Sequence, residues 1–422
     1  MLYFHAQKVV LDKCRGHMTC MRVCPTEAIR VRDWKASISD ELCVDCGICI
    51  SVCPSGAIVP IVDLLSEMSD ERFTVAVPDA VLYSQFDPDV HPYIVHQGLK
   101  ELGFDMVVDV FRASAEITRG MDIHIKNHNG RFPLISSYCP AVVRLIQVKF
   151  PDLVEQLIPL DIPREFTAAE IRRSLHKKLN MNPEDIEVIY ISPCPAKIVS
   201  VKQPAEKVSS WFDSAISIKD IFPFLYPKVI NNYENFDETQ VPEDFEFTSG
   251  WARLGAIIRD LDMENWLAVS GLEQITRIFD DIENSRLKNI EFIEAAACLL
   301  GCIGGPFNVE TPYVARTNNV KQRQRYEEQI ELDAQEVEQK YRNRVYFMEN
   351  PILPRPTTYY DTDLATSIQK IQKRDRIYKN LKQIDDGLCG APTCMAFAGD
   401  VVRGEAKLTD CIFLSDLWME EY

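Results

Sequence analysis

Fourteen cysteines in a chain of 422 residues are its main chemical resource. Cys14, Cys20, Cys24, Cys43, Cys46, Cys49 and Cys53 lie near the N-terminus, Cys139, Cys194, Cys298 and Cys302 in the middle, and Cys389, Cys394 and Cys411 near the C-terminus. The stretch from Cys43 to Pro54 reads C-x2-C-x2-C-x3-C-P. Three thiolates two residues apart let one tight loop grip three corners of an iron–sulfur cubane, and the fourth ligand arrives from a distant turn. Every cysteine can be placed in such a position, which leaves none for a disulfide and fits a reducing, cytoplasmic setting.

The N-terminal spacing resembles that of bacterial two-cluster ferredoxins, in which the fourth cysteine of each run ligates the other run's cluster. One 4Fe-4S cluster is then assigned to Cys43, Cys46, Cys49 and Cys24. The other takes Cys14, Cys20 and Cys53, with His17 where the pattern requires a cysteine. A neutral imidazole in place of a thiolate removes negative charge and raises the reduction potential. A three-iron or lost cluster is the alternative at this corner.

The mid-chain cysteines lie in three segments, SSYCP (136–140), SPCPAK (192–197) and EAAACLLGCIGG (294–305). If these converge, Cys139, Cys194, Cys298 and Cys302 supply four thiolates to one buried site. Ligands 55 and then 104 positions apart are unlike the paired knuckles of a zinc ribbon, although structural zinc stays open as the alternative. At the C-terminal end, DDGLCGAPTCMAFAGDVVRGEAKLTDC resembles a four-cysteine iron–sulfur domain, C-x2-C-x4-C-x16-C, with Asp386 in the first position and Cys389, Cys394 and Cys411 in the others. A carboxylate is a harder ligand than a thiolate and makes a labile corner. The competing reading makes Asp386 a helix cap beside an incomplete cluster.

The elements that must position these residues read as an α/β architecture. FTVAVPDAV alternates and is β-branched, as a strand is; HPYIVHQGLKELGF reads as a helix ending at Gly103, DMVVDVF as a strand and ASAEITRGMDIHIKN as a helix. The alternation continues through FPLISSYC, AVVRLIQVKF, IEVIYISPC, NWLAVSGL and IEFIEAAAC, which predicts two mixed, mostly parallel sheets flanked by helices. Three of the four cysteines follow predicted strands, where open α/β sheets bind ligands. The expected division is a ferredoxin-like α+β module at 1–60, a catalytic domain at 61–316, a helical linker at 317–374 and a small α cluster domain at 375–422. The charged stretch from 317 to 347 reads as one exposed spacer helix, or as a helix lying on the main domain.

A formal net charge of -17 argues against nucleic acid and anionic membranes, whose phosphates call for basic residues. No apolar run reaches the length of a membrane span, and no signal segment is expected.

The three mid-chain segments resemble the signature motifs of FeFe-hydrogenases, T-S-C-C-P, M-P-C-x2-K and E-x-M-A-C-x3-C, in order and separation. The flanks LGFDMVVDVFRASAEIT, VSGLEQITRIF and CIGGP are similar as well, so the resemblance covers about residues 1–310. It implies an H-cluster: a 4Fe-4S cluster on the four cysteines, joined through Cys302 to a diiron subcluster carrying CO, cyanide and azadithiolate, inserted by maturation proteins. Lys197 would donate to a cyanide, and Ser137, Ser192, Pro193 and Ala296 would line the diiron unit. With two N-terminal clusters and one at the C-terminus, four cubanes result.

The departures from the family pattern are specific. Tyr138 stands where the family has the cysteine that passes protons to the bridging amine. Forming its anion at neutral pH costs roughly 2 kcal/mol more than forming a thiolate, so relay is expected to be slow. Relay carboxylates of fast members align with Arg119 and Gly120, and a glutamate has become Ser200. Glu294, Glu264 or Glu273 would have to provide another proton path. Tyr138 as a mere packing residue is the plain alternative.

These features resemble the sensory, group D branch. They imply slow reversible H2 oxidation and proton reduction, with electrons passed to a redox partner or to a signalling protein such as a kinase or phosphatase. A non-enzymatic iron–sulfur assembly factor of the Narf type, or a catalytic subunit of a larger complex, are the competing readings. Assembly as a homodimer is left open.

Overall fold

In the computed structural model, which describes residues 3–248, 250–355 and 363–414, the strand Phe73–Pro78 lies at the centre of a four-stranded sheet. Its neighbours are Met106–Val107 on one side and Ile186–Ser192, then Ser214–Ser217, on the other. A second sheet of three strands places Phe292–Ala296 between Trp266–Ser270 and Leu134–Ile135. Every pairing in both sheets is parallel, so the expectation of mixed sheets needs correction. Antiparallel pairs occur in the N-terminal module. The sequence IEVIYIS explains why Ile186–Ser192 serves as an inner strand. Its β-branched residues suit the pleat, and all seven are buried, as in parallel sheets covered by helices on both faces.

The helix Pro92–Glu101 opens on Pro92 at its first position, with His91 Nδ1 accepting from the Tyr93 amide at 3.1 Å. It is followed by Gly103 at φ +104°, a conformation that side chains resist. The helix Phe111–Asn127 and the helix Pro163–Leu179 cover the larger sheet. Pro140–Lys149 and Leu272–Glu283 pack Val142, Leu145, Ile146, Ile275 and Phe279 under the smaller one. Among the described residues no helix is long and apolar enough to cross a membrane.

The N-terminal module pairs Gln7–Val9 with Ile58–Pro60 and Ile29–Arg32 with Lys35–Ile38, around the short helices Thr19–Arg22 and Ile48–Val52. Its core is small and made partly of Cys14, Cys20 and Cys49. The module is seated on the catalytic domain. Asp45, fully buried, accepts from Arg144 Nη1 at 2.8 Å and pairs with His5 Nδ1 at 3.0 Å. Gly47, at φ +76°, lies so close to the catalytic domain that a Cβ there would stand 2.7 Å from Pro306 and 2.8 Å from Pro195.

The stretch read as a single spacer helix is two helices, Pro312–Tyr326 and Ala334–Arg342, lying on the catalytic domain. Gln322 Nε2 donates to the Tyr83 carbonyl at 2.9 Å, and the Lys340 ammonium meets Glu116 at 2.9 Å. Tyr346, fully buried, donates to the same carboxylate. The C-terminal module, with helices Leu364–Asn380 and Cys394–Arg403, docks on the ferredoxin-like module. The Val31 amide donates to Gly390 O at 2.9 Å, and the fully buried Asp400 collects Arg30, Arg32 and Arg403.

Candidate metal centre and catalytic cavity

Cys139 immediately precedes the helix Pro140–Lys149, and Cys194 the helix Pro195–Lys202. The Cys–Pro dipeptide explains both junctions. Proline at the first helical position has its φ preset and gives up an amide that would be unpaired anyway. Cys298 follows the strand Phe292–Ala296, and Cys302 begins a single 3-10 turn. All four line one cavity with Pro193, Ala296, Lys197 and Cys46 of the N-terminal module. Two helix N-termini therefore face the site, a favourable setting for an anionic cluster.

Burial pushes the Cys194 thiol up to about 11 and the Cys302 thiol up to about 12, and neighbouring thiols add to the effect. Four thiolates share this space only if iron charge compensates them. Around a tetrahedral zinc, sulfurs stand about 3.8 Å apart. Among the described residues, the trio with ligand atoms within 4.8 Å of one another is His5, Cys43 and Asp45, not the mid-chain cysteines. The wider spacing of the latter suits a cluster better than a single ion.

A second cavity adjoins the first and shares Lys197 with it; Asp79, Tyr138, Arg164, Tyr190 and Trp251 complete much of its wall. Lys197 Nζ meets Asp79 Oδ2 at 2.5 Å, and Tyr190 Oη donates to the same oxygen. Burial opposes the charge on Lys197, but the carboxylate outweighs it and holds the ammonium well above its ordinary range. Burial raises Asp79 too, and the Lys197 and Tyr190 contacts overcome it, leaving a firm carboxylate.

Tyr138 is 4% exposed, its hydroxyl has no hydrogen-bond partner among the described residues, and its ring meets Trp251 edge-on at 5.8 Å. Burial first, then Cys302 and Glu294, push its phenol well above the ordinary value, so it stays neutral. Glu294 is 1% exposed and accepts from the amides of Gly255 at 2.8 Å and Ile258 at 3.2 Å. Burial nevertheless pushes it up to about 7, where a proton-transfer group is best matched to neutral pH.

Not every expected residue reaches these cavities. Ser192 Oγ donates to Cys194 O at 3.0 Å, supporting the turn, and Ser137 Oγ is directed to Leu160 O at 3.4 Å; neither is among the lining residues. Glu264 and Glu273 are exposed, the latter paired with Arg277 at 2.6 Å, which removes both as proton-path residues. Asp79 and Arg164 were not singled out from sequence. Asp79 carried a signal, an acidic residue directly after an inner strand.

In the N-terminal module, Cys20 is under the electrostatic influence of Cys53 and Cys14, and Cys43 under that of Cys46 and Cys24. His17 lies in the loop between Cys14 and Cys20 with its side chain exposed. At the other end, Asp386, Cys389, Cys394 and Cys411 line one cavity with Asp385. Asp386 Oδ1 accepts from the Leu388 amide at 2.7 Å, while Asp385 Oδ1 accepts from the Cys394 amide at 2.6 Å. Asp385 is thus a second carboxylate at the open corner.

Comparison with known proteins fits this geometry. Residues 74–258 and 228–306 match the model described as iron only hydrogenase large subunit, C-terminal domain. Residues 13–57 match a 4Fe-4S dicluster domain, and 383–413 match a model for an iron–sulfur cluster region. The NADP-reducing hydrogenase subunit HndD of Solidesulfovibrio fructosivorans is 23% identical over 237 residues, 47% of this chain and 40% of that protein. Iron hydrogenase 1 of Clostridium pasteurianum is 21% identical over 254 residues, 50% of this chain and 44% of that protein. The chain thus spans less than half the length of these two relatives. A solved variant of FeFe-hydrogenase HydA1 from Chlamydomonas reinhardtii shares the fold with TM-score 0.51 at 15% identity, over 69% of this chain and 97% of that one. With its parallel sheets, its convergent cysteines and more than half its length matched, the chain belongs to the iron-only hydrogenase family.

Proposed function

We propose that this protein is a sensory FeFe-hydrogenase that turns over H2 slowly and reports it through its iron–sulfur clusters. The observation carrying this reading is the pair of adjoining cavities. One is lined by four cysteines, the other by Lys197 and, at the family's relay position, a buried neutral tyrosine. The donor set fits an H-cluster: four sulfurs for a cubane, Cys302 shared with a diiron unit, and the buried donors Lys197, Arg164 and Tyr138 facing the space beside it.

When bound, the diiron unit would supply heterolysis of H2. The chain's residues do the rest. Asp79 orients Lys197 and keeps it charged, and the apolar wall of Ile162, Pro163 and Trp251 limits water. Tyr138, held neutral, can pass a proton through its hydroxyl but cannot store one, which supports slow relay. Glu294, near neutral in its titration and close enough to influence Tyr138, is the proposed proton reservoir.

The arrangement of the modules supports an ordered electron route. Cys46 lines the mid-chain cysteine cavity, Cys49 is influenced by Cys20, and the C-terminal module is clamped to the ferredoxin-like hairpin by Asp400. Electrons would leave through the Cys43 cluster, then the Cys14 cluster, and reach the C-terminal cluster. There a signalling partner, a kinase or phosphatase by class, would read its redox state.

Lys197 already has a carboxylate partner, which favours the rival reading of a scaffold without the diiron unit. The test is H2 turnover after maturation, wild type against Tyr138→Cys. A relay group is worth about 10^2-fold or more in rate, so the variant should gain at least tenfold. A wild type already as fast as the variant would refute the slow-relay reading.

A further inference from the structure

Arg164 stands at the second position of the helix Pro163–Leu179, and its side chain is 5% exposed and forms part of the wall of the cavity shared by Asp79, Tyr138 and Lys197. A guanidinium carries five N–H donors and keeps its charge in any protein setting. One donor, on Nη2, meets Ser200 Oγ, and Cζ lies 5.6 Å from the centroid of the Tyr190 ring. Nε is buried and has no acceptor among the described residues.

The carboxylates nearby are already engaged. Asp79 is held by Lys197 and Tyr190, while Lys207 takes Asp161 at 2.8 Å and Glu165 at 3.4 Å. Arg164 has no ion-pair partner among the described residues, and a buried charge without a counter-ion costs several kcal/mol. Lys197, by contrast, has its charge matched within the protein. The uncompensated positive charge of this cavity therefore resides on Arg164, and what it lacks is a small anion with a hydrogen-bond acceptor.

We propose that Arg164 is a cationic anchor for a cyanide ligand of the diiron unit, acting beside Lys197 and carrying the larger share of the charge compensation. This rests on the hydrogenase reading above. It also accounts for Ser200, which holds the guanidinium in place through its hydroxyl.

Infrared spectroscopy of matured protein tests it, because donation to the cyanide nitrogen raises the cyanide stretching frequency. Arg164→Gln should move a cyanide band to lower wavenumber, and Arg164→Lys, which retains the charge, should lie between it and wild type. If Arg164→Gln does not accumulate, Ser200→Ala loosens the same guanidinium and should give a smaller shift in the same direction. Cyanide bands that stay put in the folded variants would overturn the role of Arg164 and leave the hydrogenase reading intact. A matured wild type without CO and cyanide bands would bring down both.

Discussion

The two ends of the proposed electron route hold their ligands in opposite ways. Cys139, Cys194, Cys298 and Cys302 follow strands of two parallel sheets, within a core where Phe292, Ile293 and Ile191 are fully buried. Asp386, Cys389, Cys394 and Cys411 belong to loops and short turns, with Leu388 56% and Ile412 67% exposed beside them. The first set is fixed by the core before any metal arrives. The second is formed by local chain alone, at the surface, with an oxygen ligand proposed at one corner. A rigid, dry site suits chemistry that must exclude water, whereas a shallow, labile one suits a cluster whose state is read by a partner.

Removing one cysteine from each set puts this contrast to its hardest test. Cys298→Ala should lose the cavity cluster, about four irons per chain, together with all H2 turnover. Cys389→Ala should lose a similar amount of iron while retaining H2 oxidation with a small dye as acceptor. Iron analysis and dye reduction measured together check both. Equal loss of dye activity in the two variants would make the C-terminal cluster part of catalysis.

The buried side should also carry a pH signature. Glu294 titrates near 7 in the folded chain against 4.5 in its ordinary state, mainly because of burial. The folded form therefore binds the proton more tightly. Stability is full below pH 4.5 and is lost as the pH rises to 7, by about 3 kcal/mol. Glu294→Gln should flatten this dependence in urea unfolding between pH 4.5 and 7, and an unchanged slope would remove Glu294 as a perturbed acid.

The smallest effect is expected at the surface site. Asp386→Cys should slow loss of the C-terminal cluster to a chelator by about tenfold, or ~1.4 kcal/mol, with the cavity cluster unaffected. If Asp386→Ala leaves the loss rate unchanged, Asp385 becomes the better candidate for that corner.

The cysteines were legible because their chemistry is local: spacing sets the loop and strand ends set the place. Tyr138 stood out once the motif around Cys139 was aligned. Arg164 did not, since its meaning depends on Lys197 and Tyr190 meeting it across the sheet, and nothing in IPREFT marks an inward-facing charge. The misread spacer has a similar cause. The buried stripe of Pro312–Tyr326 is Ala315, Asn319 and Gln322, two of them polar, so hydrophobic periodicity could not reveal that this face packs against the domain. The mixed-sheet expectation failed at short strands such as Leu134–Ile135, whose pairing partner lies more than 150 residues away.

The central claim is that the two adjoining cavities take a complete H-cluster. An infrared spectrum of the protein after incubation with maturation proteins, recorded before and after exposure to H2, tests it most directly. The account predicts CO and cyanide bands that change under H2. Iron–sulfur clusters present without any such bands would contradict it and leave a hydrogenase fold serving as a scaffold.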